Sequence, residues 1–257
     1  MAGAQEPSVI ARIENGIQKV FLNRPGKKNA INRQMYRELT RLLAESAINE
    51  EVTLFAITGN GDFYSSGNDF ISYVMEETLG VDDETEILSK FVEQLIYYPK
   101  LLVAIVNGPA IGIMCTTLAL FDIIYASEKT YFLTPFCKLG LSPEGCSSYT
   151  FPRIMGPSKA GEMLFFGEKL NAQEAARIGF VSKVYKSDAV KEIWAHLDRI
   201  STLSKESLIS TKSLLSRWNR DMLLKVNEQE LSNLKNFYNS PTLIENMMKL
   251  MAKKSKI

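Results

Sequence analysis

Two glycine-containing loops and one carboxylate are the residues of this chain whose types and spacing are best suited to chemistry. The first loop spans residues 65–69 (SSGND), and the second spans residues 107–112 (NGPAIG). Glu144 follows in the segment LSPEG, residues 141–145. Turns at strand ends present backbone N–H groups that can hold a developing oxyanion, and a carboxylate beside them can move a proton. The combination predicts proton transfer next to a carbonyl group.

The two loops also admit a structural interpretation, because tight glycine turns are common wherever strands end. Neither GxGxxG nor GxxxxGK[ST] occurs, so a dinucleotide fingerprint and a P-loop are both absent. Two features favour an oxyanion site. Each loop follows an apolar segment typical of a buried strand, and the second leads into a predicted helix with unpaired N–H groups at its start. Asn68 and Ile113, each directly after a loop glycine, are the candidate backbone donors.

Glu144 lies between Pro143 and Gly145, among small and apolar residues, which is unusual for a solvated surface charge. Desolvation would raise its pKa toward neutrality and make it a competent general base. The alternative is a carboxylate that interacts with the dipole at the start of the following helix.

The surrounding pattern predicts an α/β layered core with a strand-rich first half and a helix-rich second half. Asn15-Gly16 predicts a β-hairpin, and Asn32 is placed to cap a helix that runs to Asn49. The acidic residues 76–89 predict an irregular connection, and the continuous helical pattern begins at Pro157. Strands are expected at 52–58, 101–106 and 122–127, and later helices at 159–166, 172–178, 188–203, 205–218, 221–238 and 242–253.

Composition excludes several classes of function. With 30 Lys+Arg against 29 Asp+Glu, the formal charge of +1 gives no field for nucleic acid or an anionic membrane, and no apolar segment has transmembrane length. The start of the chain lacks the features of a secretory signal. Cys115, Cys137 and Cys146 lack metal-ligand spacing, and His196 is the single histidine, so reduced thiols and no metal site are expected.

Four motifs together resemble the enoyl-CoA hydratase/isomerase (crotonase) superfamily from about residue 8 to the C-terminus. They are LNRP at 22–25, the loop at 65–69, VNGPA at 106–110 and SPEG at 142–145. The segments YSSGND (64–69) and LSPEGCSS (141–148) resemble in particular the peroxisomal Δ3,Δ2-enoyl-CoA isomerases.

The resemblance implies a crotonase-like fold of repeated ββα units, with a catalytic core at 8–200 and C-terminal helices at 201–257 for oligomerisation and active-site cover. It implies homotrimers, or hexamers of two trimers, and an acyl-CoA thioester whose carbonyl lies between the N–H groups of Asn68 and Ile113. No cofactor is expected. The implied substrate and CoA contacts are Lys28, Ala30, Ser65, Ser66, Gly67, Asn68, Asp69, Gly112 and Phe136.

Residue identity within the family favours an isomerase. Hydratases of this family use two glutamates, and the aligned positions here hold Thr116 and Phe136. Glu144 occupies the place of the lone catalytic acid of the isomerases. Asp69 is either a second acid, as in dienoyl-CoA isomerases, or a structural hydrogen-bonding residue. A 2-enoyl-CoA hydratase, a dienoyl-CoA isomerase and a non-catalytic acyl-CoA-binding module remain the alternatives. Glu144 and the expected absence of an appended domain or linker argue against the last of these.

The end of the chain predicts a location. Ser255-Lys256-Ile257 is a near variant of the Ser-Lys-Leu tripeptide that a peroxisomal import receptor binds. The alternative is a solvated basic tail. We expect a peroxisomal matrix protein, with the mitochondrion as the second possibility.

Overall fold

The computed structural model describes residues 6–69, 81–238, 240–243 and 245–246. In this part of the chain the strands form two sheets. The larger has the order β1-β2-β3-β4-β6-β9, and the smaller has the order β5-β7-β8. The strands are β1 Val9–Glu14, β2 Ile17–Leu22, β3 Leu54–Gly59, β4 Leu101–Val106, β5 Ala110–Ile111, β6 Ile123–Ser127, β7 Tyr131–Leu133, β8 Leu170–Asn171 and β9 Lys183–Tyr185.

The helices surround these sheets and fill most of the second half of the chain. They are α1 Arg33–Ile48, α2 Val81–Tyr97, α3 Ile113–Thr116, α4 Phe136–Leu139, α5 Ser147–Phe166, α6 Ala172–Arg177, α7 Val190–Ile200, α8 Lys205–Ser216 and α9 Arg220–Tyr238. Short 3₁₀ turns occupy Pro25–Lys27 and Thr117–Leu120. The predicted cap of α1 is confirmed, because Asn32 Oδ1 accepts the Met35 N–H at 2.9 Å.

The larger sheet is parallel from β2 to β9, and β1 joins it antiparallel through the predicted hairpin at Asn15-Gly16. All six residues of β3, and the last five of β4, are buried, as expected for a parallel sheet covered on both faces. The carboxyl ends of β3 and β4 lie at the same edge of the sheet. This arrangement brings the two glycine loops out side by side.

The strands divide their side chains between two apolar layers, as the two-residue period of a strand requires. On one face, Phe55 and Leu102 join the main core with α1, α2 and α9. On the other face, Leu54 and Val103 form a smaller cluster that α7 covers with Ile193 and other apolar residues.

One expectation about the helices was wrong, and one helical segment was missed. Residues 81–89 are not irregular: they begin α2, because Leu88, Phe91, Val92 and Leu95 recur at helical spacing and are buried in the main core. The acidic residues that obscured this pattern lie at the helix start, where negative charge is favourable. Helix α5 already begins at Ser147, leaves helical geometry at Gly156 (φ 78°, ψ 158°), and continues after it as the helical segment expected from Pro157. Residues 76–80 lie outside the described residues.

Helix α9 belongs to the same packed unit as the sheet, since Leu231, Leu234 and Tyr238 lie in the main core. The proposed division into 8–200 and 201–257 stays a prediction. No helix in the described ranges is long and apolar enough to cross a membrane. Within those ranges no group of three or more His, Cys, Asp or Glu residues is arranged to hold a metal ion. Residues 255–257 lie outside the described part of the chain.

Candidate active site

The two glycine loops form a short stretch of parallel pairing beyond the ends of β3 and β4. Ser65 N–H donates to the Pro109 carbonyl at 3.2 Å, and Ile111 N–H donates to the Ser65 carbonyl at 3.0 Å. The Ser65 hydroxyl is buried and donates to the Asn29 carbonyl at 2.7 Å, so its role here is to fix the loop. The pairing holds the residues that follow, Gly67 and Gly112, against each other.

Glycine is required at both positions of this contact. Gly67 has φ +84° and Gly112 has φ +59°, backbone conformations that residues other than glycine rarely adopt. A Cβ on Gly67 would lie 2.8 Å from the Ile111 carbonyl oxygen, and one on Gly112 would lie 3.7 Å from the Gly67 Cα. The two loops therefore contact each other directly through their backbones, at Gly67 and Gly112.

The residues after these glycines, Asn68 and Ile113, carry N–H groups that no acceptor in the described part of the chain takes up. Their neighbours are engaged, because Asp69 N–H donates to the Ile31 carbonyl at 2.9 Å and Gly112 N–H donates to the Leu133 carbonyl at 2.9 Å. Ile113 is the first residue of α3, where an N–H has no partner within the helix. Two available donors on separate segments are what oxyanion binding requires.

Glu144 lies beside the second loop and is 4% exposed. The following residue, Gly145, packs so closely on α3 that a Cβ would stand 2.5 Å from Thr116 Oγ1 and 3.1 Å from Ile113 Cδ1. Burial, with a smaller contribution from the charge of Glu230, raises the pKa of the Glu144 carboxyl to about 8. A carboxyl group with this pKa can accept and return a proton near neutral pH.

The side chain of Asn68 connects the first loop to this carboxyl, a contact that the sequence did not predict. Asn68 Nδ2 donates to Glu144 Oε1 at 3.4 Å, and Tyr36 donates its hydroxyl to Asn68 Oδ1 at 2.5 Å. Burial, followed by the charge of Glu144, raises the pKa of Tyr36 well above its usual value, so Tyr36 stays a neutral donor. Tyr36 occupies the apolar face of α1, and that position gave no sign of a polar role.

A second buried carboxylate, Glu230 on α9, was also missed. It accepts the N–H of Cys146 at 2.7 Å and the N–H of Ser148 at 2.9 Å. These amides open α5, directly after Glu144. No local motif could reveal Glu230, because its partners are more than eighty residues away along the chain.

The predicted CoA-contact residues of the 28–30 segment lie beside the first loop. Ser66 N–H donates to the Lys28 carbonyl at 2.9 Å, and Arg24 Nη1 donates to the Ala30 carbonyl at 2.6 Å. Arg24 also pairs with Asp69 at 2.8 Å. This ion pair supports a structural role for Asp69, because it connects the end of the first loop to Arg24, which also binds the 28–30 segment.

Lys28 lies at the edge of this region. Its backbone is left-handed at φ 53°, and its ammonium group stands 5.0 Å from the centre of the Phe63 ring.

The two positions at which hydratases hold glutamates are buried and carry no acid. Thr116 Oγ1 donates to the Ile113 carbonyl at 3.1 Å, and Phe136 in α4 is 3% exposed. Glu144 and Glu230 are buried carboxylates in this region, and Asp69 adjoins the first loop.

Comparison with known proteins defines the class. The sequence matches the enoyl-CoA hydratase/isomerase family over residues 12–255, and the chain belongs to that family. The fold agrees: an enoyl-CoA hydratase/isomerase from Pseudoalteromonas atlantica T6c superimposes with a TM-score of 0.88 at 28% identity, covering 96% of this chain and 98% of that one.

Two of the similar proteins are named as enoyl-CoA isomerases. Enoyl-CoA delta isomerase 2 of Homo sapiens is 42% identical over 255 residues, covering 97% of this chain but 64% of that protein. The peroxisomal Enoyl-CoA delta isomerase 3 of Mus musculus is 43% identical over 232 residues, covering 88% of this chain and 72% of that protein. The chain thus spans about two thirds of the length of the human relative. It is also 33% identical over 254 residues to Chromodomain Y-like protein 2 of Mus musculus, covering 96% of this chain and half of that protein.

Proposed function

We propose that this protein is a Δ3,Δ2-enoyl-CoA isomerase, which moves the double bond of a 3-enoyl-CoA to the 2-trans position. One observation carries the proposal: the buried carboxyl of Glu144 lies beside the two glycine loops, where the N–H groups of Asn68 and Ile113 are available. The family resemblance aligns Thr116 and Phe136 with the acids of a hydratase. The names of the human and mouse relatives support it.

In the proposed reaction, Glu144 removes a proton from C2 and returns it at C4. Between the two steps the substrate is a dienolate with its negative charge on the thioester oxygen. The N–H groups of Asn68 and Ile113 bind that oxygen. The loss of one such donor typically costs 100- to 1000-fold in rate, or about 3–4 kcal/mol.

The pKa of Glu144 suits a group that must hold the proton between these steps. A carboxyl with an ordinary pKa would be a weak base toward a carbon acid, and the raised pKa of about 8 strengthens it. The Asn68 amide, 3.4 Å from the carboxylate, orients the base toward the loop that binds the thioester. Phe136 keeps this region apolar, which limits addition of water to the intermediate.

The remaining parts of the proposal concern binding, assembly and location. The 28–30 and 65–69 segments are the proposed contacts for CoA. Leu214, Leu215 and Trp218 are 58%, 75% and 77% exposed at and after the end of α8, which supports oligomerisation through residues 201–257. A peroxisomal location in the oxidation of unsaturated fatty acids is supported by the name of the mouse relative and by Ser255-Lys256-Ile257.

The test compares two substrates. With 3-hexenoyl-CoA we expect rapid formation of the 2-enoyl thioester, and with crotonyl-CoA negligible 3-hydroxyacyl product. Glu144→Gln should abolish isomerisation while leaving acyl-CoA binding within a few-fold. Glu228→Gln, an exposed acid on α9, is the matched control and should retain activity. Fast hydration of crotonyl-CoA would refute the proposed isomerase activity and indicate a hydratase.

One alternative is a module that binds acyl-CoA without turnover, and the similarity to Chromodomain Y-like protein 2, whose name states no enoyl-CoA activity, is a reason to test it. That alternative predicts measurable binding of 3-hexenoyl-CoA, no product, and no effect of Glu144→Gln on either. Isothermal titration with the same thioester separates the two functions.

A further inference from the structure

Glu230 is a buried carboxylate that has no place in the reaction just proposed. It is 7% exposed, and it lies in the middle of α9, far from the glycine loops in the chain. Its two oxygens accept the N–H groups of Cys146 and Ser148, at 2.7 and 2.9 Å. Helix α5 has no side-chain cap from its own N-cap residue, Cys146, so a carboxylate from another helix performs that role.

The backbone held in this way is the turn that carries Glu144. Gly145 and Cys146 have φ +67° and +63°, two consecutive left-handed residues, and the second has a side chain. Two consecutive left-handed residues are unfavourable and persist only when the surroundings hold them. Helix α9 supplies three hydrogen bonds: Glu230 accepts the two amides, and Cys146 Sγ donates to the Leu223 carbonyl at 3.4 Å. Movement of Glu230 would therefore move Glu144.

The charge of Glu230 also acts on Glu144. Among the described residues no cation forms an ion pair with Glu230, which interacts with uncharged backbone donors instead. Its charge is the contribution, second to burial, that disfavours ionisation of Glu144. Removing it would stabilise the ionised form of Glu144 and lower its pKa.

Other charged and titratable groups lie around α9. Lys225 and Glu228 are exposed and line, together with Glu230, a cavity of about 590 Å³. Helix α2 places Glu86 near Lys235, helix α1 contributes Tyr36 near Tyr238, and α5 contributes the thiol of Cys146, whose pKa burial raises.

We propose that Glu230 is a positioning residue for Glu144: its carboxylate fixes the 144–148 turn, and its negative charge keeps the base of the reaction strongly proton-accepting. The proposal rests on the proposed function, because it takes Glu144 as the base. It predicts that the proton affinities of two acids on separate elements are coupled.

The experiment measures kcat/KM for 3-hexenoyl-CoA against pH in wild type, Glu230→Gln and Glu228→Gln. The glutamine keeps the shape and one acceptor oxygen but removes the charge. We expect the midpoint of the acid limb to fall by about one pH unit in Glu230→Gln and to stay in place in Glu228→Gln. An unmoved midpoint in Glu230→Gln, or equal shifts in both variants, overturns the proposal.

A second measurement needs no turnover. Infrared pH titration of the protonated carboxyl band follows Glu144 in wild type and Glu230→Gln, and Glu144→Gln identifies its band. The proposal has Glu230 ionise first, while Glu144 is still protonated, so the coupling appears in the second step: the midpoint of Glu144 should fall by about one unit when Glu230 is replaced. An unmoved Glu144 midpoint refutes the coupling even if the protein is an active isomerase. Coupled midpoints without turnover refute the proposed function and leave the coupling standing.

Discussion

Replacement of Glu144 by glutamine should stabilise the folded protein, and the gain should depend on pH. The wild-type carboxyl is buried, with a pKa of about 8 in the folded protein against 4.5 for the ordinary group. Glutamine has nearly the same shape and carries no charge at any pH. The variant therefore isolates the cost of keeping an ionisable group in this position.

The sign follows from proton binding in the two states. Between pH 4.5 and 8 the unfolded chain has an ionised Glu144, whereas the folded protein retains the proton. Raising the pH through this range therefore favours unfolding, and the loss stops above the folded-state pKa. The difference between about 8 and 4.5, at ~1.4 kcal/mol per pH unit, amounts to about 5 kcal/mol.

The assay is urea denaturation of both proteins at one protein concentration, from pH 4.5 to pH 9. We expect nearly equal free energies of unfolding at pH 4.5 and a growing advantage of Glu144→Gln up to pH 8, with a plateau above. Glu228→Gln, which removes an exposed charge from α9, should follow the wild type. Parallel curves for wild type and Glu144→Gln would refute the reasoning, because Glu144 would then titrate as a solvated acid.

Three further variants test the loops, the exposed helix and a buried ion pair. Gly67→Ala should lower kcat/KM about 100-fold, because its Cβ would press on a carbonyl of the second loop and displace an oxyanion donor. The control Gly26→Ala, with open space around the new Cβ, should leave kcat/KM unchanged. Leu215→Glu, at a side chain that is 75% exposed, should shift the protein to a smaller species in light scattering at unchanged helix content. Lys212→Met should lower the free energy of unfolding, measured by urea denaturation, by about 2–3 kcal/mol, because Asp122 loses the ammonium group 2.7 Å away. An unchanged urea midpoint would show that the ion pair contributes nothing to stability.

The roles expected of the site residues stay predictions, and the sequence misread part of the helical structure. The glycine loops were recognisable because a strand end and a following glycine are local features, and the structure pairs them as expected. The beginning of α2 was misread because acidic residues concealed the spacing of Leu88 and Phe91. The helical segment that begins at Ser147 was not predicted, whereas the chain does leave helical geometry at Gly156, directly before Pro157.

What the sequence determined by itself is the family, since the motifs that define it depend on residue type and spacing along short segments. The two loops as an oxyanion site and Glu144 as the base stay predictions from the same motifs. The tertiary structure decided the environment of that carboxyl. Asn68 and Tyr36 reach it from the first loop and α1, and Glu230 caps its turn from α9. These partners come from elements that only folding brings together. The local small and apolar residues indicated burial of Glu144, but the second contribution to its raised pKa, the charge of Glu230, comes from a distant helix and no local pattern encodes it.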